Sequence, residues 1–336
     1  MPNRKLTDKE FKEYNVRSNK NSGSWDFDIL ANSFELPDLL EWGFEEKELD
    51  LNLWNKTDEE KLDEVPEVQE KAISRLGDLF LIDGKHRVMC GDSTKQEDVE
   101  KLMDGKKADM VFTDPPYGVD YSGGIQFTKT GVKKNQRERL IDDQNDTDIY
   151  SRVVPIIPQF TNGAVYMWFA GTQALPVYQA VEKVGDIHAL LIWVKNGGYS
   201  AMNANYKQKH EPCLYWKPKN GKLNFIGKST ETTIWNLDKD GKNEYHPTQK
   251  PVALSAKAIQ NHDGKTVLDL FLGSGSTLIA CEQTNRICYG MELDEHYIDV
   301  ILRRYKNLYP QAKIECLNRK DFNFKKLYEI PKETKS

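Results

Sequence analysis

No stretch of this chain approaches the run of about 18 apolar residues that a membrane-spanning helix needs. A membrane partner is therefore not expected. The start, Met1-Pro2-Asn3-Arg4-Lys5, leads into polar sequence and lacks the apolar core of an export signal, so the cytoplasm is the expected location. Cysteine is sparse as well. The five present (Cys90, Cys213, Cys281, Cys288, Cys316) are odd in number and include no C-x-x-C pair, and the six histidines form no cluster. Neither a disulfide framework nor a metal site is implied, and a reducing compartment fits. Internal repeats and low-complexity blocks are also missing.

What is present is a chain of 336 residues with 38% hydrophobic and 29% charged composition, enough for a sizeable core in one large α/β domain with an appendage, or in two modest domains. A formal charge of −5, taken alone, argues against a nucleic-acid partner. Its distribution argues the other way. Between Glu35 and Glu70 fourteen acidic residues stand against three basic ones, so the rest of the chain carries a net +6.

Residues 1–24 are polar, with too little apolar content to fold alone, and read as a mobile arm. From Trp25 to Leu76 apolar residues recur at helical spacing amid the acidic run, which predicts a small helical appendage. After Gly77 short strand-like runs alternate with amphipathic stretches. Strands are expected at 79–82, 86–90, 109–113, 164–170, 189–194, 213–216, 266–271 and 288–292, with helices at 96–103, 149–160, 173–184, 251–261, 276–283 and 294–308. That alternation predicts an α/β fold, a doubly wound and mostly parallel sheet with ligands at the carboxyl ends of its strands, over residues 77–318. A polar tail, 319–336, follows.

Two strings carry chemistry. Asp269-Leu270-Phe271-Leu272-Gly273-Ser274-Gly275-Ser276-Thr277 closes a strand and opens a helix, and its glycines permit a tight turn with close backbone approach to a ligand. The next strand, Cys288 to Glu292, ends in an acid able to accept both hydroxyls of a ribose. Together they favour an adenosyl ligand. The second string is Asp114-Pro115-Pro116-Tyr117, directly after the apolar strand Met110-Val111-Phe112. Two prolines remove backbone donors and stiffen the loop, so the Pro115 carbonyl and the Asp114 carboxylate are available to accept the hydrogens of a planar exocyclic amine, and Tyr117 offers a face for stacking.

On these strings the chain resembles the S-adenosylmethionine-dependent DNA amino-methyltransferases, which modify adenine N6 or cytosine N4, over about residues 77 to 310. The resemblance implies a seven-stranded Rossmann-like sheet, S-adenosylmethionine as cofactor and double-stranded DNA with a flipped target base as partner. It implies that Asp114, Pro115, Pro116 and Tyr117 hold the base. Phe271, Gly273 and Gly275 would hold the methionine part of the cofactor, Glu292 its ribose and Asp92 of Cys90-Gly91-Asp92-Ser93 its adenine. Ser93, Asp114, Asp269, Ser274 and Thr277, with His246, Thr248 and Lys250 of His246-Pro247-Thr248-Gln249-Lys250-Pro251, complete the expected cofactor site. The order of the two strings marks the β subgroup, a circular permutation of one sheet, and implies a homodimer. The appendage resembles the helical tail between ParB-like domains and methylases in fused chains.

Adenine N6 is the favoured target, cytosine N4 the runner-up, and a non-catalytic DNA-binding regulator the reading from another class. Intact Asp114 and Gly273-Ser274-Gly275 argue against the last. Target recognition is expected from about 118–148 and 217–245, and phosphate contact from Lys129, Lys133, Lys134, Arg137, Arg139, Lys207 and Lys209. A companion nuclease is left open. Pro212-Cys213 looks like the nucleophile of cytosine C5 enzymes, but transfer to an exocyclic nitrogen needs no thiolate, and Cys213 lies in an apolar run that reads as a buried strand.

Overall fold

The computed structural model describes residues 7, 14, 16, 17, 36–44, 62–116, 149–195, 205, 206, 208–237 and 250–328. The chain divides into two compact units, 1–62 and 63–336. In the first, a short helix α1 (Leu36–Glu41) is followed by buried Trp42 and Phe44, and the carbonyl of Glu41 accepts from the Arg17 guanidinium at 2.9 Å.

The second unit is built on one mixed sheet. Its strands are β1 (Leu79–Ile82), β2 (His86–Cys90), β3 (Ala108–Thr113), β4 (Thr161–Trp168), β5 (Gly185–Val194), β6 (His210–Pro218), β7 (Ile234–Asn236), β8 (Thr266–Asp269), β9 (Ile287–Glu292) and β10 (Ile314–Cys316). They lie in the order β10-β1-β2-β9-β8-β3-β4-β6-β5-β7. Strands β2, β9, β8, β3 and β4 are mutually parallel, and β6 runs antiparallel between β4 and β5. The seven strands implied by the resemblance form the middle, β2 to β5. Three short strands extend it to ten: β1 and β10 at one edge, β7 at the other. Their lengths, three or four residues, explain why β7 and β10 show no periodicity in the sequence.

The central strands read as nearly continuous apolar runs because both faces of the sheet are covered. Helices α2 (Gln96–Met103), α3 (Ile149–Val153), α4 (Ile157–Phe160) and α5 (Ala174–Val184) contribute Val99, Leu102, Val153, Ile157, Val177 and Val181 to a core with Met89, Val111, Val165, Met167, Leu268 and Met291 of the strands. The alternate residues of the strands, among them Val88, Phe112, Tyr166 and Trp168, are buried as well. Helices α6 (Val252–Gln260), α7 (Ser276–Gln283) and α8 (Glu295–Leu308) supply the other layer. The single helix expected over 149–160 is two short pieces instead. Pro155 has no N–H to continue the first, and Pro158 sits in the first turn of the second, where a missing donor costs nothing.

Residues 63–76 belong to this unit by their bonds. The Asp299 carboxylate on α8 accepts from the amides of Ile73 (2.6 Å) and Ser74 (3.0 Å) and from the Ser74 hydroxyl (2.6 Å). Residues 319–328, expected as tail, also pack onto it. Leu327 is buried, and the rings of Phe322 and Phe80 meet edge-on at 4.9 Å.

Parallel pairing of β3 with β4 depends on Gly163, whose position would put a Cβ 1.6 Å from the Asp109 carbonyl oxygen. Backbone cannot yield as a flexible side chain does. Gly163→Ala should therefore cost about 3 kcal/mol, the upper end for overpacking, and should lower the urea midpoint without changing the denaturant slope.

Candidate active site

Strands β2, β9, β8 and β3 are parallel neighbours, so the loops that leave their carboxyl ends gather along one edge of the sheet. This brings together residues far apart in sequence: Asp92 and Ser93 after β2, Glu292 ending β9, the 270–275 turn after β8, and Asp114-Pro115-Pro116 after β3.

The turn after β8 is held from several sides. The Phe271 amide donates to Asp269 at 3.0 Å, the Leu272 amide to the Met291 carbonyl at 2.8 Å, and the Ser93 hydroxyl to the Leu270 carbonyl. Gly273 (φ 54°) and Gly275 (φ 90°) are left-handed, and Gly275 caps the start of α7. At Gly273 a Cβ would meet nothing within 4 Å, so open space lies over the backbone of the turn. Beneath it lies Arg304 of α8, 1% exposed, whose guanidinium donates to the Ser274 carbonyl at 3.0 Å and to its hydroxyl at 3.1 Å. Arg304 escaped the sequence reading. Its only trace is a cation beside the buried positions Val300, Ile301 and Tyr305 of an amphipathic helix.

Glu292 faces this turn. One carboxylate oxygen accepts from the Gly273 amide at 2.8 Å and the other from the Asp294 amide at 3.0 Å. Burial pushes its carboxyl up to about 7 despite those bonds, and burial likewise pushes Asp269 up to about 6 against bonds from Thr277, Phe271 and Thr113. Asp92 behaves differently. Burial raises it, but the Thr94 hydroxyl (2.7 Å) and amide (2.9 Å) and the Lys95 ammonium (3.3 Å) outweigh burial and hold it low.

At the mouth of β3 Asp114 is half-buried, and its carboxylate is paired with the Lys250 ammonium. Lys250, just before α6, also reaches Glu211 of β6 at 3.0 Å and stands 5.3 Å from the centre of the Trp168 ring. Its carbonyl accepts from the Ser276 hydroxyl at 2.8 Å. Glu211 in turn pairs with Lys195. The sequence assigned Glu211 no role. The thiol of nearby Cys213 is fully buried in β6, and burial pushes it far up, as its apolar surroundings predict. Lys209 is exposed at the approach to β6. Tyr117, Lys129, Lys133, Lys134, Arg137, Arg139, Lys207, His246 and Thr248 lie outside the described residues.

Residues 108–303 match the family N6_N4_Mtase, described as DNA methylase, which is more than half of the chain. The chain belongs to this family and is a DNA methyltransferase with S-adenosylmethionine as its cofactor. Among relatives, type II methyltransferase M2.MboI of Moraxella bovis is 26% identical over 231 residues, spanning 62% of this chain and 84% of that one. The putative methylase YubD of Escherichia coli (strain K12) is 28% identical over 214 residues, 63% of this chain and 86% of its own. In fold the chain is similar to the PvuII DNA methyltransferase (cytosine-N4-specific), with a TM-score of 0.51, 12% identity, and coverage of 79% of this chain and 95% of that one. Among the described residues no helix is long and apolar enough to cross a membrane.

The site suits the cofactor on its own terms, because the open space over Gly273 and an acceptor carboxyl beside it fit a nucleoside with neighbouring hydroxyls. Raised carboxyls also have a stability signature. Folded Glu292 and Asp269 hold protons above the ordinary carboxylate range, so their contribution to the stability of the unliganded protein is lost as pH rises from about 4.5 through 7, while His86 and His262, whose imidazoles burial holds low, contribute in the opposite sense. Urea unfolding at pH 5 and pH 8 should show the stability of Glu292→Gln relative to wild type rising between the two pH values.

Proposed function

We propose that this protein transfers the methyl group of S-adenosylmethionine to the exocyclic N6 of adenine in duplex DNA, with the base flipped out of the helix. One observation carries this reading: the Asp114-Pro115 acceptor pair leaves β3 next to β8, whose turn carries Gly273, and the Leu270 amide bonds the Thr113 hydroxyl at 3.3 Å across the gap. The amine acceptor and the cofactor turn are thereby adjacent. On this reading Phe271, Gly273, Ser274 and Gly275 line the methionine part, Glu292 accepts from the ribose hydroxyls, and Asp92 and Ser93 border the adenine, with Asp269 and Thr277 bracing the turn from below.

When bound, the cofactor supplies a methyl group on a sulfonium sulfur. The protein's part is to aim the amine. An exocyclic amine is a poor nucleophile because its lone pair is delocalised into the ring. Accepting its two hydrogens at Asp114 and at the Pro115 carbonyl favours the geometry in which that pair returns to nitrogen, and the preference grows toward the transition state. Flipping costs a few kcal/mol, and stacking on Tyr117, about 1–3 kcal/mol, offsets much of it. Cys213 takes no part.

Asp114→Asn keeps shape and one acceptor oxygen but removes the charge. It should retain cofactor and DNA binding while methyl transfer falls about 100- to 1,000-fold, as for loss of one preorganised electrostatic partner. Tritium transfer from labelled cofactor to DNA measures this, and nucleoside analysis separates N6-methyladenine from N4-methylcytosine. The second product alone would move the assignment to cytosine. A wild type that yields neither on varied DNA would remove the catalytic reading.

Phosphate contact is assigned to Lys129, Lys133, Lys134, Arg137, Arg139, Lys207 and Lys209, and a homodimer is the assembly consistent with the order of the two strings. If the lysines meet phosphates, Lys133→Ala, Lys134→Ala and Arg137→Ala together should flatten the dependence of log affinity on log salt by about 0.9 for each phosphate no longer neutralised. An unchanged slope would make them ordinary solvated residues.

A further inference from the structure

Lys250, Glu211 and Lys195 form a row of charges that methyl transfer by Asp114 and Pro115 alone does not use. The row alternates in sign, Lys195–Glu211–Lys250–Asp114, and draws on four separate segments: the end of β5, β6, the start of α6 and the mouth of β3. It is not a surface feature. Lys250 is 7% exposed, and its ammonium is enclosed by two carboxylates and the Trp168 ring. Burial alone would lower the Lys250 ammonium, yet Asp114 and Glu211 outweigh it and raise it; burial alone would raise Glu211, yet Lys250 and Lys195 hold it low. Lys250 and Glu211 are therefore both charged around neutral pH. A buried row of this kind is weak evidence for stability, since apolar side chains of the same volume do as well. Its layout is informative. The row is most deeply buried at Lys250, and one of its two partly exposed ends is the Asp114 carboxylate at the mouth of β3.

We propose that Lys250, anchored by Glu211, is a positioning residue for methyl transfer that acts through Asp114 and is not a contact to the cofactor. The proposal rests on the role of Asp114 as acceptor of the amine hydrogen. Pairing at Asp114 Oδ2 stops the carboxylate rotating, which fixes the direction in which it accepts that hydrogen. Glu211 shares the same ammonium, so Asp114 keeps its accepting power instead of being fully neutralised. Lys195 balances Glu211. Among the described residues, Asp269 of β8, Cys213 of β6 and Tyr150 of α3 also interact with the row. Burial keeps the thiol and the phenol protonated, so neither changes charge near neutral pH.

The test compares Lys250→Met, Glu211→Gln and the double variant with wild type by cofactor calorimetry and by methyl transfer from pH 5 to pH 9. Lys250→Met leaves two carboxylates facing each other. It should bind S-adenosylmethionine within about threefold of wild type, lose about 100-fold in kcat, and show the acid limb of its pH profile moved upward by about one unit. Glu211→Gln gives Asp114 the whole ammonium and should move that limb downward with a smaller loss. The double variant should return the limb toward wild type. Cofactor binding that falls in step with activity would make Lys250 a cofactor contact and overturn the proposal, as would an unmoved limb in both single variants. If the wild type transfers no methyl group, the functional reading has failed, and urea unfolding still decides the charge coupling. A stability gap between wild type and Lys250→Met that widens from pH 5 to pH 8 supports it, and a constant gap overturns it.

Discussion

Lys250 joins three separate segments of this molecule at one residue. Through its side chain it ties the mouth of β3 to β6, and through its carbonyl it ties both to the first residue of α7, which begins at the glycine turn. Taking an ammonium out of water costs several kcal/mol, and the charge is tolerated here only because two carboxylates close on it. Removing either carboxylate leaves the other to balance the ammonium by itself. The loop that presents Asp114 and the start of α7 are thus both attached at Lys250, the first through its ammonium and the second through its backbone carbonyl.

Strand order explains why the two chemical strings meet. Strand β2 is followed in the chain by β3, yet two places separate them in the sheet, and β9 and β8 fill those places from much later in the sequence. A chain beginning elsewhere on the same sheet would present the glycine turn first and the acidic string second without altering which carboxyl ends lie side by side. Function depends on that adjacency.

The sequence made the middle of the sheet legible because β3, β4, β8 and β9 are buried on both faces and read as apolar runs bounded by turn residues. Asp114, Glu292 and the glycines were legible because each closes such a run. Glu211 and Lys195 were not. Both sit near strand ends, where charge is unremarkable, and only the pairing of β5 with β6 and the return of the chain at Lys250 give them partners. Arg304 was hidden for a related reason, since its acceptors lie 28 and 30 positions away on a turn whose shape no local pattern encodes. The divided helix over 149–160 was visible in Pro155 and Pro158, but the apolar spacing around them spoke for one continuous helix.

The two ends of the larger unit are laced to each other. Gln69 donates to the Leu327 carbonyl at 2.8 Å, and Arg319 holds both Asp78 and the carbonyl of Ile73, the latter at 2.9 Å. Entry and exit thus share one patch on the side of α8 that receives Ile73 and Ser74. A body with neighbouring ends can be spliced into a surface loop of another protein with little strain on either. In this methyltransferase unit the first and last described segments, 63–78 and 319–328, meet in that way, which is the anatomy of a cassette.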